Sequence, residues 1–141
     1  MVHALHEAWS VLTPRGIMID LRPLSIDSSL DIVFKEKYES AGIVDMSPDM
    51  KDAIAVDHAI ERVLKEGIFK ELSTEYFELT YYWKTVRVMM ADYRERWKND
   101  VIIEENVIRR AYELFRKHRP HAKARLLIHM KLVKYEKQIL K

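Results

Sequence analysis

The segment that is most informative about the fold lies near the start of the chain, in Leu5-His6-Glu7-Ala8-Trp9-Ser10-Val11-Leu12-Thr13-Pro14-Arg15-Gly16-Ile17-Met18-Ile19-Asp20-Leu21-Arg22-Pro23. Apolar residues recur at helical spacing as far as Leu12, and the four residues from Thr13 to Gly16 then end the helix and turn the chain. The run from Ile17 to Leu21 predicts a strand that is apolar enough to be covered on both faces. We therefore expect a helix, a tight turn and an interior strand here.

The next part of the chain predicts a hairpin and a second helix. Two short extended segments, 31–37 and 42–46, are expected to pair around a turn at Glu39-Ser40-Ala41. Ser47 is expected to cap the following helix, because serine accepts hydrogen bonds from the first free N–H groups and Pro48 suits the first helical position. Gly67 is expected to end this helix.

The remainder predicts the order strand, helix, helix, strand. In the strand within residues 68–83, one face carries Phe69, Phe77, Leu79 and Tyr81. The two helices are expected to pack as antiparallel neighbours, the first burying Val86, Met89, Met90, Tyr93 and Trp97, the second burying Ile103, Val107, Ala111, Leu114 and Phe115. The last strand alternates polar residues with Ala124, Leu126, Ile128, Met130 and Leu132. The predicted class is α+β, with a mostly antiparallel sheet flanked by helices.

Composition narrows the class of protein. A chain of 141 residues with 48% hydrophobic and 33% charged residues is expected to fold as one domain, residues 1–141, and is neither disordered nor collagen-like. The absence of cysteine excludes disulfides and thiolate metal sites and is typical of a cytoplasmic protein, the location that we expect. No stretch predicts a membrane span. The net charge of +2 is too small to indicate a nucleic-acid partner.

Residues 5–23 resemble the helix, the "VLxPGG" turn and the fifth strand of class I S-adenosylmethionine-dependent methyltransferases, with Arg15 where the family usually has a glycine. The resemblance continues through 59–69, similar to the helix and sixth strand of the family, and through 82–86 into a last strand similar to the seventh. It implies a partial Rossmann-like methyltransferase fold that corresponds to the C-terminal half of the family.

The cofactor site of that family is not found in this sequence. The family holds its methyl donor with a glycine-rich loop after the first strand, where the backbone must approach the ligand closely. Only three glycines occur, and they are far apart, at Gly16, Gly42 and Gly67. We therefore expect the chain alone to bind no cofactor, and to take part in binding S-adenosylmethionine only if a partner half completes the site.

The resemblance also implies a candidate substrate site at the carboxyl edge of the sheet, formed by Asp20, Arg22, Tyr81, Tyr82, Trp83, His118 and His121. The alternative is that the aromatic residues belong to the core and the histidines to the surface. No catalytic residue and no metal site are predicted, because the pairs His3/His6 and His118/His121 lack a third ligand. A basic cluster, formed by Arg94, Arg96, Lys98, Arg109, Arg110, Arg116, Lys117 and Arg119 with the polar face of the last strand, is interspersed with glutamates and resembles a solvated helix face.

The sequence thus predicts a methyltransferase-like domain without a cofactor site, non-catalytic alone, that acts as a dimeric binding or interaction protein. One alternative is the acceptor-substrate subunit of a split methyltransferase, completed by a separately encoded N-terminal half. A second is a phosphate or nucleic-acid binder. The expected partner is a second copy or the missing half, and nucleic acid is the least expected.

Overall fold

The computed structural model describes residues 1–140. The elements are α1 (Val2–Val11), β1 (Ile17–Pro23), β2 (Ser28–Phe34), β3 (Lys37–Val44), α2 (Met50–Lys65), β4 (Phe69–Trp83), α3 (Val86–Asp92), α4 (Glu105–Lys117) and β5 (Ala122–Lys137). The protein is therefore α+β, with an antiparallel five-stranded sheet flanked by helices, as predicted. Within the described residues, no helix has both the length and the apolar character needed to cross a membrane.

The chain divides into two compact units. The first contains Met1–Leu24, Lys51–Phe77 and the chain from Met130, and the second contains Ser25–Met50 and Glu78–His129. Each of the long strands β4 and β5 is divided, with one part in the first unit and the other part in the second. The expectation of a single domain, residues 1–141, stays a prediction.

The turn between α1 and β1 forms where the sequence predicts it. The amide of Gly16 donates to the carbonyl of Thr13 over 2.8 Å, and a Cβ at Gly16 would lie 2.8 Å from that same oxygen. A side chain therefore does not fit at Gly16. Arg15, one residue earlier, adopts the left-handed conformation with a φ of 60°, which glycine adopts at much lower cost.

The core of the first unit lies on one side of β1. The buried residues are Ile60, Val63, Ile68, Phe69, Val133 and Tyr135, and α1, α2 and Met18 pack against them. The opposite face of β1 is open, because Ile17, Ile19 and Leu21 are 42%, 57% and 52% exposed. The prediction that this strand is covered on both faces is wrong, since the helices of the unit pack on the face that carries Met18.

The second unit contains the predicted hairpin, with a different turn. β2 pairs with β3 from Ser28↔Val44 to Phe34↔Lys37, so the turn lies at Lys35-Glu36 and not at Glu39-Ser40-Ala41. Lys35 takes the left-handed conformation that the tight turn requires, with a φ of 56°. On its other side β2 pairs with the first part of β5, from Leu30↔Leu126 to Phe34↔Ala122.

Helix α4 covers one face of this hairpin. A Cβ at Gly42 would lie 2.7 Å from the side chain of Val107, so the glycine permits the close approach of β3 and α4. The predicted core residues Val86, Met89, Met90, Ile103, Val107, Ala111, Leu114 and Phe115 are all buried. Tyr93 and Trp97 are only partly buried, and they lie in a π-helical turn that extends α3.

Three further details differ from the sequence-based expectations. Ser47 does not cap α2: a short 3-10 turn precedes the helix, and the carboxylate of Asp45 accepts from the amide of Ser47 over 2.8 Å. On β4, Phe69 is buried, whereas Phe77, Leu79 and Tyr81 are exposed. Along β5 the buried residues are even-numbered as far as Met130, and then Val133 and Tyr135 are buried in place of Leu132.

Candidate anion-binding site

The seven predicted site residues are divided between the two units. Asp20 and Arg22 lie on β1 in the first unit. The other five lie in the second unit, and they are Tyr81, Tyr82, Trp83, His118 and His121. The residues of the single predicted site therefore belong to separate clusters within the two units.

Asp20 and Arg22 form an ion-pair cluster that ties β1 to α2. The Nε of Arg22 lies 2.9 and 3.0 Å from the two carboxylate oxygens of Asp20, and its Nη2 lies 2.9 Å from Asp57. Burial by itself lowers the pKa of Arg22, but the hydrogen bonds to Asp20 and Asp57 raise it overall. All three charged groups have partners within the unit, which indicates a structural role.

Tyr81 and Trp83 belong to an aromatic cluster on one face of β4. The ring of Trp83 stacks on Tyr81 at 6.1 Å and on Trp97 at 5.9 Å between centroids, and Tyr93 meets Trp97 edge-on at 5.0 Å. The indole N–H of Trp83 donates to Asp92 over 3.0 Å. Hydrogen bonds from Arg96 and from Trp83 lower the pKa of Asp92. These contacts show that Trp83 packs within the cluster, whereas Tyr81 is 48% exposed, and a substrate-binding role for the two residues stays a prediction.

The other three predicted residues line two clefts at the tip of the β2–β3 hairpin. The first cleft has a volume of about 560 Å³ and is lined by Val33, Lys35, Glu36, Lys37, Tyr38, Tyr82, His121, Lys123 and Arg125. The second cleft has a volume of about 730 Å³ and is lined by Phe34, Lys35, Glu36, Lys37, Lys117, His118, Arg119 and His121. The hairpin turn and His121 therefore contribute to both clefts.

Strand register builds the floor of the first cleft. Val33 pairs with Tyr38 on β3 and with Lys123 on β5, and Asp31 pairs likewise with Arg125. Directly paired residues of antiparallel strands project from the same face of a sheet. This face is opposite to the one that buries Leu30, Ile32 and Ala124.

Arg125 is fixed on this floor by a buried carboxylate. Asp31 is 3% exposed, and one of its oxygens accepts from Arg125 Nη2 over 2.7 Å and from Nε over 3.3 Å. The guanidinium carbon lies 4.7 Å from the ring centroid of Tyr38. Although burial alone lowers the pKa of Arg125, the interactions with Asp31 and Tyr82 raise it. The guanidinium is thus charged and held in one orientation.

Lysines without a carboxylate partner line the same cleft as this arginine. Three lysines, which we call the rim lysines, are exposed at the edge of the first cleft: Lys35, Lys37 and Lys123. Within residues 1–140 none of their side chains has an ion pair or a hydrogen bond. Among the described residues that line the cleft, Glu36 is the only acidic one. The unbalanced positive charge favours an anionic ligand.

In the second cleft, several of the lining side chains already have partners within the protein. The imidazole of His118 stacks on Phe34 with 3.5 Å between centroids, and its Nε2 lies 3.2 Å from Glu39 Oε1. Lys117 donates to the same oxygen over 3.3 Å. This bond and the one from His118 lower the pKa of Glu39. His118 is therefore mainly a packing residue, whereas the exposed side chain of His121 has no contact of this kind among the described residues.

Lys35 and Lys37 were not predicted as site residues, because the hairpin turn was expected to begin at Glu39 and begins four residues earlier, at Lys35. Residues 35–37, Lys-Glu-Lys, lie between the aromatic residues Phe34 and Tyr38. Neither residue of the turn is the glycine or asparagine that two-residue hairpin turns prefer, so the sequence carries no strong signal for a turn at Lys35-Glu36. Asp31 was also not predicted, since a carboxylate in a strand gives no indication of an arginine partner 94 residues later.

Comparison with known proteins adds no relative. No family model, no curated protein and no solved structure matches the chain. In addition, residues 1–140 contain no group of three or more histidine, aspartate or glutamate side chains placed to hold a metal ion. The role of the first cleft therefore follows from the residues that line it.

Proposed function

We propose that this protein is a binding module that holds a small phosphate-bearing ligand in the first cleft. The observation that carries the proposal is Arg125, which is fixed by the buried Asp31 in a cleft that the unpaired rim lysines also line. A guanidinium has five N–H donors, and Asp31 uses two of them. The donors that Asp31 and Tyr82 leave free can bind an anion at the floor of the cleft.

The chemistry of the lining favours phosphate over a single carboxylate. The planar guanidinium of arginine binds two phosphate oxygens at once, and the flexible lysine side chains place a positive charge beside the remaining oxygens. Tyr38 and Tyr82 are 61% and 58% exposed and add phenol groups beside the arginine. A volume of about 560 Å³ lies in the usual range for sites that bind small molecules. The proposed ligand is thus a phosphorylated small molecule.

We place this module among methyltransferase-like proteins, in the cytoplasm, as the sequence predicts. Support comes from the order α1, turn, β1, which forms at the expected residues, and from the left-handed φ of 60° at Arg15. That conformation suits the glycine that the family usually has at this position. Without a glycine-rich loop in the sequence, the proposed role is non-catalytic and independent of S-adenosylmethionine.

A second candidate function is the acceptor-substrate subunit of a split methyltransferase. The favouring observation is that Tyr82, His118 and His121, three of the residues predicted for an acceptor site, lie together at the two clefts. This function needs a separately encoded half with the glycine-rich loop. Methyl transfer that requires both chains and is lost in a Tyr82→Ala variant would support this function over a simple binding role.

An NMR titration with inorganic pyrophosphate tests the proposed binding role. Amide signals of residues 33–38 and 121–125 are expected to shift together and to saturate, because these backbones carry the lining side chains. Signals of the first unit, for example of α1, serve as the internal control. Unchanged spectra, or shifts spread evenly over lysines of both units, would contradict a specific site. Tighter binding of a single-stranded oligonucleotide than of pyrophosphate would favour a nucleic-acid ligand instead.

A further inference from the structure

The outer edge of β1 carries free backbone groups. β1 pairs with β5 alone, from Ile17↔Glu136 to Pro23↔Met130. At Gly16, the residue before Ile17, the backbone carbonyl accepts from the amide of Lys137 over 2.8 Å. In an antiparallel ladder, residues alternate between bonding to the partner strand and facing away from it. The even-numbered residues of β1 therefore bond to β5, and the odd-numbered ones direct their N–H and C=O groups outward.

The three outward-facing residues are also apolar and exposed. Ile17, Ile19 and Leu21 are 42%, 57% and 52% exposed, and within residues 1–140 their outward N–H and C=O groups have no hydrogen-bond partner. Exposed edge strands in natural proteins usually carry a lysine, a proline or a bulge in their middle. None of these protects β1, whose only charge before Arg22 is Asp20, already bound to Arg22. The edge is thus open to another strand.

We propose that the partner is a second copy of this chain, with the two β1 strands paired antiparallel around a two-fold axis at Ile19. In this register Ile19 pairs with the partner's Ile19, and Ile17 pairs with the partner's Leu21. All three outward-facing residues then bond on both N–H and C=O, which gives about six hydrogen bonds across the interface. The edge is self-complementary, because its outward residues lie symmetrically around Ile19.

Neighbouring registers are less favourable for physical reasons. An axis at Asp20 places Asp20 directly opposite the partner's Asp20, at about 4.5 Å between Cα atoms, and like charges in that position destabilise a sheet. It also opposes Ile17 to the partner's Pro23, which has no N–H to donate. An axis at Met18 leaves Leu21 beyond the end of the partner strand. Around Ile19, by contrast, Asp20 lies opposite the partner's Met18.

Single cysteines test this register, because the natural chain has none. Ile19→Cys places two thiols in a directly opposed pair, at about 5.5 Å between Cα atoms, which a disulfide can bridge. We expect mild oxidation to yield a covalent dimer. Ile17→Cys alone is the matched control: its two thiols would lie about 13 Å apart along the strands, so it should stay monomeric in a denaturing gel. Mixing Ile17→Cys with Leu21→Cys should restore a covalent dimer that contains one chain of each.

The mass in solution tests the interface itself. Wild-type protein is expected to be a dimer at micromolar concentration in light scattering, and Ile19→Lys to weaken the dimer at least about tenfold by opposing two lysines. Ile43→Lys is the control, because Ile43 is 55% exposed on β3, the strand at the other end of the sheet order. A wild-type monomer, or an equal loss of dimer in both variants, would overturn the proposal. So would equal crosslinking of the Ile17 and Ile19 cysteines.

Discussion

Arg125 donates two hydrogen bonds to a single carboxylate oxygen of Asp31, over 2.7 Å from Nη2 and 3.3 Å from Nε. This pair joins β2 to β5 below the first cleft, and Asp31 is 3% exposed. Removing one partner of such a pair leaves a charge without compensation. Asp31→Ala is therefore expected to lower the free energy of unfolding by about 3 kcal/mol, as measured by urea denaturation.

The double variant Asp31→Ala/Arg125→Met is the control for that experiment. It removes both charges, so its loss should be clearly smaller than that of Asp31→Ala alone. A loss below about 1 kcal/mol in the single variant would contradict a stabilising role for the pair, because that value is typical of exposed ion pairs.

Trp97 provides a second test of stability. It stacks on Trp83 and meets Tyr93 edge-on, but it is only partly buried. Full burial, as expected from the sequence, predicts a loss of about 3 to 5 kcal/mol for Trp97→Ala. With part of the ring in water, we expect about 2 kcal/mol instead, measured by urea denaturation. Tyr81→Ala, at the exposed end of the same cluster, should cost less, and equal losses would contradict the central position of Trp97.

The raised pKa of Tyr135 predicts that the stability of the protein depends on pH in the alkaline range. Burial, with the nearby charges of Asp20 and Glu71, raises the pKa of Tyr135 to about 12 from 10.0. The unfolded chain then releases this proton at lower pH than the folded chain, so the group favours unfolding as pH rises through the window from 10 to 12. The free energy of unfolding should fall less steeply between pH 9 and 11 in Tyr135→Phe than in the wild type. An equal change in the control Tyr76→Phe, which removes an exposed phenol, would contradict this assignment.

Binding of S-adenosylmethionine gives the test of the cofactor prediction. The chain has no glycine-rich loop to bring its backbone against the ribose and carboxylate of the methyl donor. Titration calorimetry with S-adenosylmethionine is expected to give no saturable heat. One-to-one binding at micromolar concentration would contradict the prediction and would require a donor site formed by other residues.

Local patterns in the sequence were sufficient for most helices and strands. The clearest case is α4, where Val107, Ala111, Leu114 and Phe115 form one apolar stripe and are all buried. The predictions were wrong where tertiary contacts determine which residues are buried. The apolar run of β1 predicts burial on both faces, but nothing local reveals that helices cover only the face of Met18.

The candidate site was harder to predict than the fold. Tyr82 and His121 were predicted from the methyltransferase resemblance, which implies a place at the carboxyl edge of the sheet, and both line the first cleft. The charged residues of this cleft depend on pairing between distant strands: Asp31 and Arg125 meet because β2 pairs with β5. A single sequence gives the alternation of a strand, but it does not give the register that brings such residues together.

The most direct test of the proposed function is calorimetric titration of inorganic pyrophosphate into three proteins. These are the wild type, a variant with the rim lysines changed (Lys35→Gln, Lys37→Gln, Lys123→Gln) and a control with Lys51→Gln, Lys70→Gln and Lys134→Gln, three exposed lysines of the first unit. Both variants lose the same charge. We predict that the wild type and the control bind one pyrophosphate with similar affinity, and that the rim variant binds at least about tenfold more weakly. Equal weakening in both variants, or no binding to the wild type, would contradict the proposed site.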